Sequence, residues 1–152
     1  MSSPRTIWGL GSVPDLSLIP SPDPSVGVLR CVLPVTNEAG RTARDRLKRH
    51  FATQLTDTAR DNAELILTEL VANAVAASIG TDVILLVVRV TAGQLLIEVF
   101  DESPAMPRPR SADDCAEDGR GLQLVDALST TWGWHPSPGG KVVWALPKAG
   151  AA

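Results

Sequence analysis

The sequence predicts an α+β fold, a two-layer α/β sandwich with helices on one face of a mixed, mostly antiparallel sheet. Three observations carry that expectation. Two helical stretches follow one another after a single strand-like run. The runs TDVILLVVRV and GQLLIEVF are then separated only by Thr91–Ala92–Gly93. A third helical stretch leads into a further strand pair joined by SPGG. Closely spaced strand runs favour hairpins, and helices grouped beside hairpins favour a layer over one sheet rather than a doubly wound parallel sheet.

Taken in order, residues 1–25 are rich in Pro, Ser and Gly and end in IPSPDPS, which predicts an N-terminal tail. The folded domain is expected over 26–148, with 149–152 as a short C-terminal tail. VGVLRCVL reads as a strand stopped by Pro34. Thr36 is a candidate N-cap for a helix running to about Gln54, with Leu47 and Phe51 four apart on its buried face. A second helix spans about Thr58 to Ser78, with Asp57 as a candidate cap and Gly80 as its stop. After Asp101, ESPAMPRPRSADDCAED holds three prolines and no periodicity, the mark of a long loop. A helix resumes in GLQLVDALS, and strands around STTWGWH and KVVWALP close the chain.

Size and composition narrow the function. The chain has 152 residues, which suits one domain, and 44% of them are hydrophobic, enough for a core. A net charge of −3 argues against a general binder of nucleic-acid backbone, whose affinity comes from clustered Lys and Arg. The cluster Arg41, Arg44, Arg46, Lys48 and Arg49 reads as a solvated helix face, with docking of an acidic partner, or a DNA-associated adaptor role, as the alternatives. Cys31 lies in an apolar run and Cys115 in an acidic loop, with neither disulfide nor zinc spacing. No apolar run approaches membrane-spanning length and no signal peptide is read, so a cytoplasmic protein without membrane contact is expected.

The residues that point to chemistry begin in TELVANAV. At about 100° per residue, Ile66, Leu67, Leu70, Val71, Ala74 and Ala77 share one broad face, and the helix is apolar nearly all round. Glu69 and Asn73 sit one turn apart at the edge of that face, pointing the same way. A charge in such a setting calls for a cation, water or a hydrogen-bond network. A carboxamide and a carboxylate are oxygen ligands of the kind Mg²⁺ takes together with substrate phosphates; the bland alternative is a surface Glu and a capping Asn. Asp101 ends a strand, where it either opens a turn or accepts from an exocyclic amine. Gly119 and Gly121 in DGRGLQLV fall near a helix start, where unobstructed backbone N–H groups suit phosphate oxygens. Lys141 reads as a phosphate contact or an edge-strand guard. Trp132, Trp134 and Trp144 read as packing.

Glu69, Asn73, Asp101 and Gly119-x-Gly121, in that order and on those elements, resemble the GHKL (Bergerat) ATP-binding family, and within it the small anti-sigma-factor serine kinase branch. TELVANAV is similar to its N box, VFDESPAMP to its G1 region and GRGLQLVDALSTTWGW to its G2 region, over Val26 to Pro147. The resemblance implies ATP and Mg²⁺ as cofactors. It implies Asn73 as the Mg²⁺ ligand, Glu69 as the general base, and Asp101 as the adenine-amine acceptor. Gly119, Arg120, Gly121 and Leu122 would line the phosphates under a lid formed by the long loop. The implied partner is a sigma factor or its antagonist, with phosphorylation on a Ser or Thr of the antagonist; relatives of this branch commonly form homodimers, though no interface signal is read in this sequence. A non-catalytic ATP-responsive binding module is the competing reading. Ser103 stands where the G1 pattern has glycine and the second glycine is missing. Neither His50 nor His135 has a phosphoacceptor setting.

Overall fold

A computed structural model describes residues 6–8, 27–78, 83–91, 94–102 and 116–148, with the side chains of 6–8, 91 and 116–120 excepted. In chain order the elements are β1 (Thr6–Trp8), β2 (Val28–Pro34), α1 (Ala39–His50), α2 (Asp57–Ala77), β3 (Val83–Thr91), β4 (Gln94–Asp101), α3 (Ala116–Leu128), β5 (Ser129–Ser137) and β6 (Gly140–Pro147). They form one six-stranded sheet in the order β1-β5-β6-β4-β3-β2. Every neighbouring pair is antiparallel except β1 with β5. The α+β sandwich expected from the sequence is the fold observed.

Strand alternation decides which side chains meet the helices. Leu29, Cys31 and Leu33 of β2, Ile84, Leu86 and Val88 of β3, Leu95, Ile97 and Val99 of β4, and Val143 and Ala145 of β6 share one core with the helices. From the helix side come Ala43, Leu47 and Phe51, then Ile66, Leu67, Leu70, Val71 and Ala74, then Leu122 and Val125. By the same alternation Asp101 and Lys141 belong to the helix-facing side, two residues beyond Val99 and two before Val143. That places their charges at one end of the helix–sheet interface.

Several boundaries differ from expectation, each for a local reason. The three residues of β1 lie inside the stretch read as a tail, because a composition-based reading overlooks a short Thr-Ile-Trp run that can pair on an open edge. β1 supplies β5 with a partner on the side away from β6. Thr36 does not cap α1. Its N–H bonds to Pro34 O and its carbonyl accepts from Ala39, so it belongs to the preceding turn and Glu38 holds the N-cap position. The helix ends at His50 rather than Gln54, with Phe51 at the C-cap and Lys48, Arg49 and His50 in the last turn, where positive charge suits the dipole. For α2 the cap is Thr56, not Asp57: Thr56 Oγ1 accepts from Ala59 N–H at 3.1 Å, and Asp57 instead pairs with Arg60 at 2.7 Å. Gly80 and residues 103–115, within the stretch read from the sequence as a long loop and including Ser103, Arg108, Arg110 and Cys115, lie outside the described residues.

Candidate functional site

Helix α2 is less enclosed than its composition suggests. Ile66, Leu67, Leu70, Val71 and Ala74 are buried, but Leu65 is 48% exposed and Ala72 and Ala76 are exposed as well. Glu69 and Asn73 fall on the border between the buried face and the open one, and both are half-buried. Among the described residues the Asn73 carboxamide has no hydrogen-bond partner. The helix is pinned at this level by Thr68, whose hydroxyl donates to Glu64 O at 2.6 Å and accepts from Arg44 of α1 at 3.0 Å. Lys48 and Glu64 add a second α1–α2 tie at 3.6 Å. Two members of the basic cluster thus reach toward α2, while Arg41, Arg46 and Arg49 face solvent.

Opposite Glu69 and Asn73 stands α3. A methyl group built on Gly121 would lie 2.6 Å from Glu69 Oε2 and 4.0 Å from Asn73 Oδ1. The Glu69 carboxylate thus packs directly against the Gly121 backbone, a closeness that only hydrogen at that position allows, and Asn73 Oδ1 lies 4.0 Å from the same point. The sequence places the glycines at a helix start. In the structure α3 begins at Ala116, so Gly119 lies in its first turn and Gly121 in its second. The early start does not move Gly121 from the α2 face, because Leu122 and Val125 turn into the core and fix the rotation of α3. Leu122 contributes its side chain to that core and has only backbone to offer the site. Arg120 has no described side chain.

Asp101 lies at the end of β4, 1% exposed. It is directly opposite Lys141 in the β4–β6 ladder, and Lys141 Nζ donates to Asp101 Oδ1 at 2.9 Å. Lys141 is itself 3% exposed. The reading of Lys141 as an edge-strand guard does not hold for its position in the sheet. β6 lies between β5 and β4, so it is not an edge strand, and the ammonium is engaged by the carboxylate of the next strand. Sequence reasoning could not pair these residues, since their contact depends on a register set across the intervening loop and helix. Trp132 is packed and its Nε1–H donates to Asp126 at 3.0 Å; Trp144 is buried too, consistent with packing roles.

A groove of about 480 Å³ also opens between α1 and α2, lined by Thr36, Asn37, Arg41, Arg44, Val71 and Val75 among others. It lies on a different face of α2 from Glu69 and Asn73, and none of Glu69, Asn73, Asp101 and residues 119–122 borders it. At the α2–α3 face, by contrast, the oxygens of Glu69 and Asn73 come together beside Gly121. Among the described residues no cluster of three or more His, Cys, Asp or Glu could itself hold a metal ion. A cation held by Asn73 would therefore draw its other ligands from bound phosphates and water, the usual arrangement for Mg²⁺. A carboxamide, a carboxylate and a helix face lacking a Cβ fit such a group.

The molecule is a two-layer α/β sandwich with a carboxylate–carboxamide pair on one helix, a glycine against it on the next and a buried acid at a strand end. The chain belongs to the histidine kinase-like ATPase family: the model of the histidine kinase-like ATPase domain matches residues 33–146. Among solved structures it is similar to the RsbU and RsbW domains of Rv1364c from Mycobacterium tuberculosis, with a TM-score of 0.63 and 20% identity over 88% of this chain. It spans 34% of that longer protein, and at this identity the likeness concerns the fold. A weaker likeness, TM-score 0.46 at 15% identity, covers 80% of this chain and 68% of the Acinetobacter baumannii histidine kinase AdeS. No curated protein matches the chain. Among the described residues no helix is long and apolar enough to cross a membrane.

Proposed function

We propose that the protein binds Mg²⁺·ATP in the cytoplasm and transfers the γ-phosphoryl group to a Ser or Thr of a partner regulatory protein, in the manner of anti-sigma-factor serine kinases. The observation that carries this reading is the convergence of Glu69 Oε2 and Asn73 Oδ1 on the Gly121 face of α3. Phosphoryl transfer asks a protein mainly for positioning and charge neutralisation, so a few well-placed groups suffice. Asn73 would hold the ion through its side-chain oxygen. The ion supplies charge neutralisation between the phosphates when bound. Glu69 would take the proton of the attacking hydroxyl, Asp101 would accept the adenine amine, and backbone of residues 119–122 would lie along the phosphates. The presence of domains named RsbW in a structural relative supports looking for a sigma factor or its antagonist as partner.

The test is phosphoryl transfer from labelled ATP to candidate antagonist proteins. Label is expected on a Ser or Thr of the antagonist, with the rate falling about 10²- to 10⁴-fold in Glu69→Gln, the range for loss of a general base. Tight nucleotide binding with no transfer to any antagonist would instead favour the competing reading, a binding module that responds to ATP without turnover. Ser103, where the family's G1 pattern has glycine, is the feature on its side.

A further inference from the structure

We infer that Lys141 is a base-contacting residue, whose ammonium donates to the ring nitrogen next to the amine that Asp101 accepts. This rests on the reading of Asp101 as the acceptor for adenine. β4 and β6 run antiparallel with Asp101 directly opposite Lys141, so both side chains leave the sheet on the same, helix-facing side. The two strands are pressed together at that point. A methyl group built on Gly140 would overlap the Asp101 carbonyl oxygen and approach the Glu102 backbone, which holds Lys141 in fixed register against the acid. The resulting pair is 2.9 Å long and almost wholly buried.

An ammonium carries three N–H donors. Among the described residues Lys141 spends one, on Asp101 Oδ1. Donors of a buried cation left without acceptors are costly, so the position calls for another acceptor close to the carboxylate. The Watson–Crick edge of adenine presents that complement: the N6 amine is a donor, and N1 beside it is an acceptor. Asp101 and Lys141 form an acceptor next to a donor, the mirror of that edge. The lysine is thereby more than a structural counter-ion; it makes recognition two-pronged and tells a purine carrying an acceptor at position 1 from one without.

The experiment is calorimetric titration of the full chain with Mg²⁺·ADP and Mg²⁺·1-deaza-ADP, in which N1 is replaced by C–H. The wild-type protein is expected to bind ADP about 10-fold or more tightly than the deaza analogue, the range for a hydrogen bond from a charged donor. Lys141→Met is expected to bind the two equally. The wild-type comparison alone decides the matter should that variant fold poorly. Equal affinity of the wild type for both ligands would overturn the role of Lys141 while leaving nucleotide binding intact. Absence of binding to either would overturn the nucleotide reading as well, so the two failures are distinguishable.

Discussion

Gly121 is the residue at which packing and chemistry meet. A Cβ there would crowd the far end of the Glu69 side chain, which can swing aside, and not any backbone. The alanine variant therefore keeps its fold. In a helix interior, replacing Gly by Ala adds roughly 0.5–1 kcal/mol of stability. The same methyl occupies the point shared by Glu69 and Asn73. Gly121→Ala is thus expected to melt at the same or a slightly higher temperature while losing about 10-fold or more in nucleotide affinity, as read by calorimetry beside a thermal scan. A drop in melting temperature with unchanged affinity would place the glycine in packing alone. At this scale the sequence was informative where residues are local to one element: Glu69 and Asn73 were legible as an i, i+4 pair. The edge-strand reading of Lys141 failed because the place of β6 in the sheet is set by strand pairing and not by residues local to it.

At the level of elements, periodicity located every helix and every long strand, and errors gathered at the ends. The reason is visible at α2. Thr56 and Asp57 are adjacent residues of equal capping aptitude, and which one holds the N-cap depends on the backbone entering from α1, not on residue type. Thr56 accepts from Ala59, and Asp57 is left to pair with Arg60 in the first turn. Thr56→Ala is expected to cost about 1 kcal/mol in denaturant unfolding, whereas Asp57→Ala, which removes an exposed pair, costs within about 0.5 kcal/mol. The reverse order would restore Asp57 as the cap. β1 escaped notice for a different reason: three residues carry too little pattern to stand out, and their pairing is decided by the free edge of β5.

Across the whole molecule, the sheet face away from the helices carries a charge pair that the sequence could not reveal. Arg89 of β3 and Glu98 of β4 approach to 3.5 Å, and both are buried. Among the described residues neither oxygen of Glu98 has a hydrogen-bond partner. Burial pushes the Glu98 carboxyl above its ordinary range, with Arg89 and His135 pulling it back. Because the folded value is the higher one, the cost of the ionised form is absent below about pH 4.5 and grows as pH rises through the folded value. Replacing both partners by apolar residues, Arg89→Met with Glu98→Leu, is expected to stabilise by about 1–4 kcal/mol at neutral pH, with the gain shrinking on acidification. Glu98→Leu alone strands the guanidinium and costs about 3–5 kcal/mol. Chemical denaturation from pH 4 to 8 reads both, and a gain that instead grew on acidification would contradict the sign.

The outermost ladder has its own thermodynamic consequence. β1 and β2 occupy opposite margins of the sheet and are joined through residues 9–27. Once residues 28–147 are in place, seating Thr6–Trp8 closes a loop of roughly twenty residues, at an entropic expense of about 2–3 kcal/mol. Three paired residues return only about 1 kcal/mol per net hydrogen bond. The flank of β5 is therefore sealed near break-even, and doubling the connecting length shifts that balance by just about 0.6 kcal/mol.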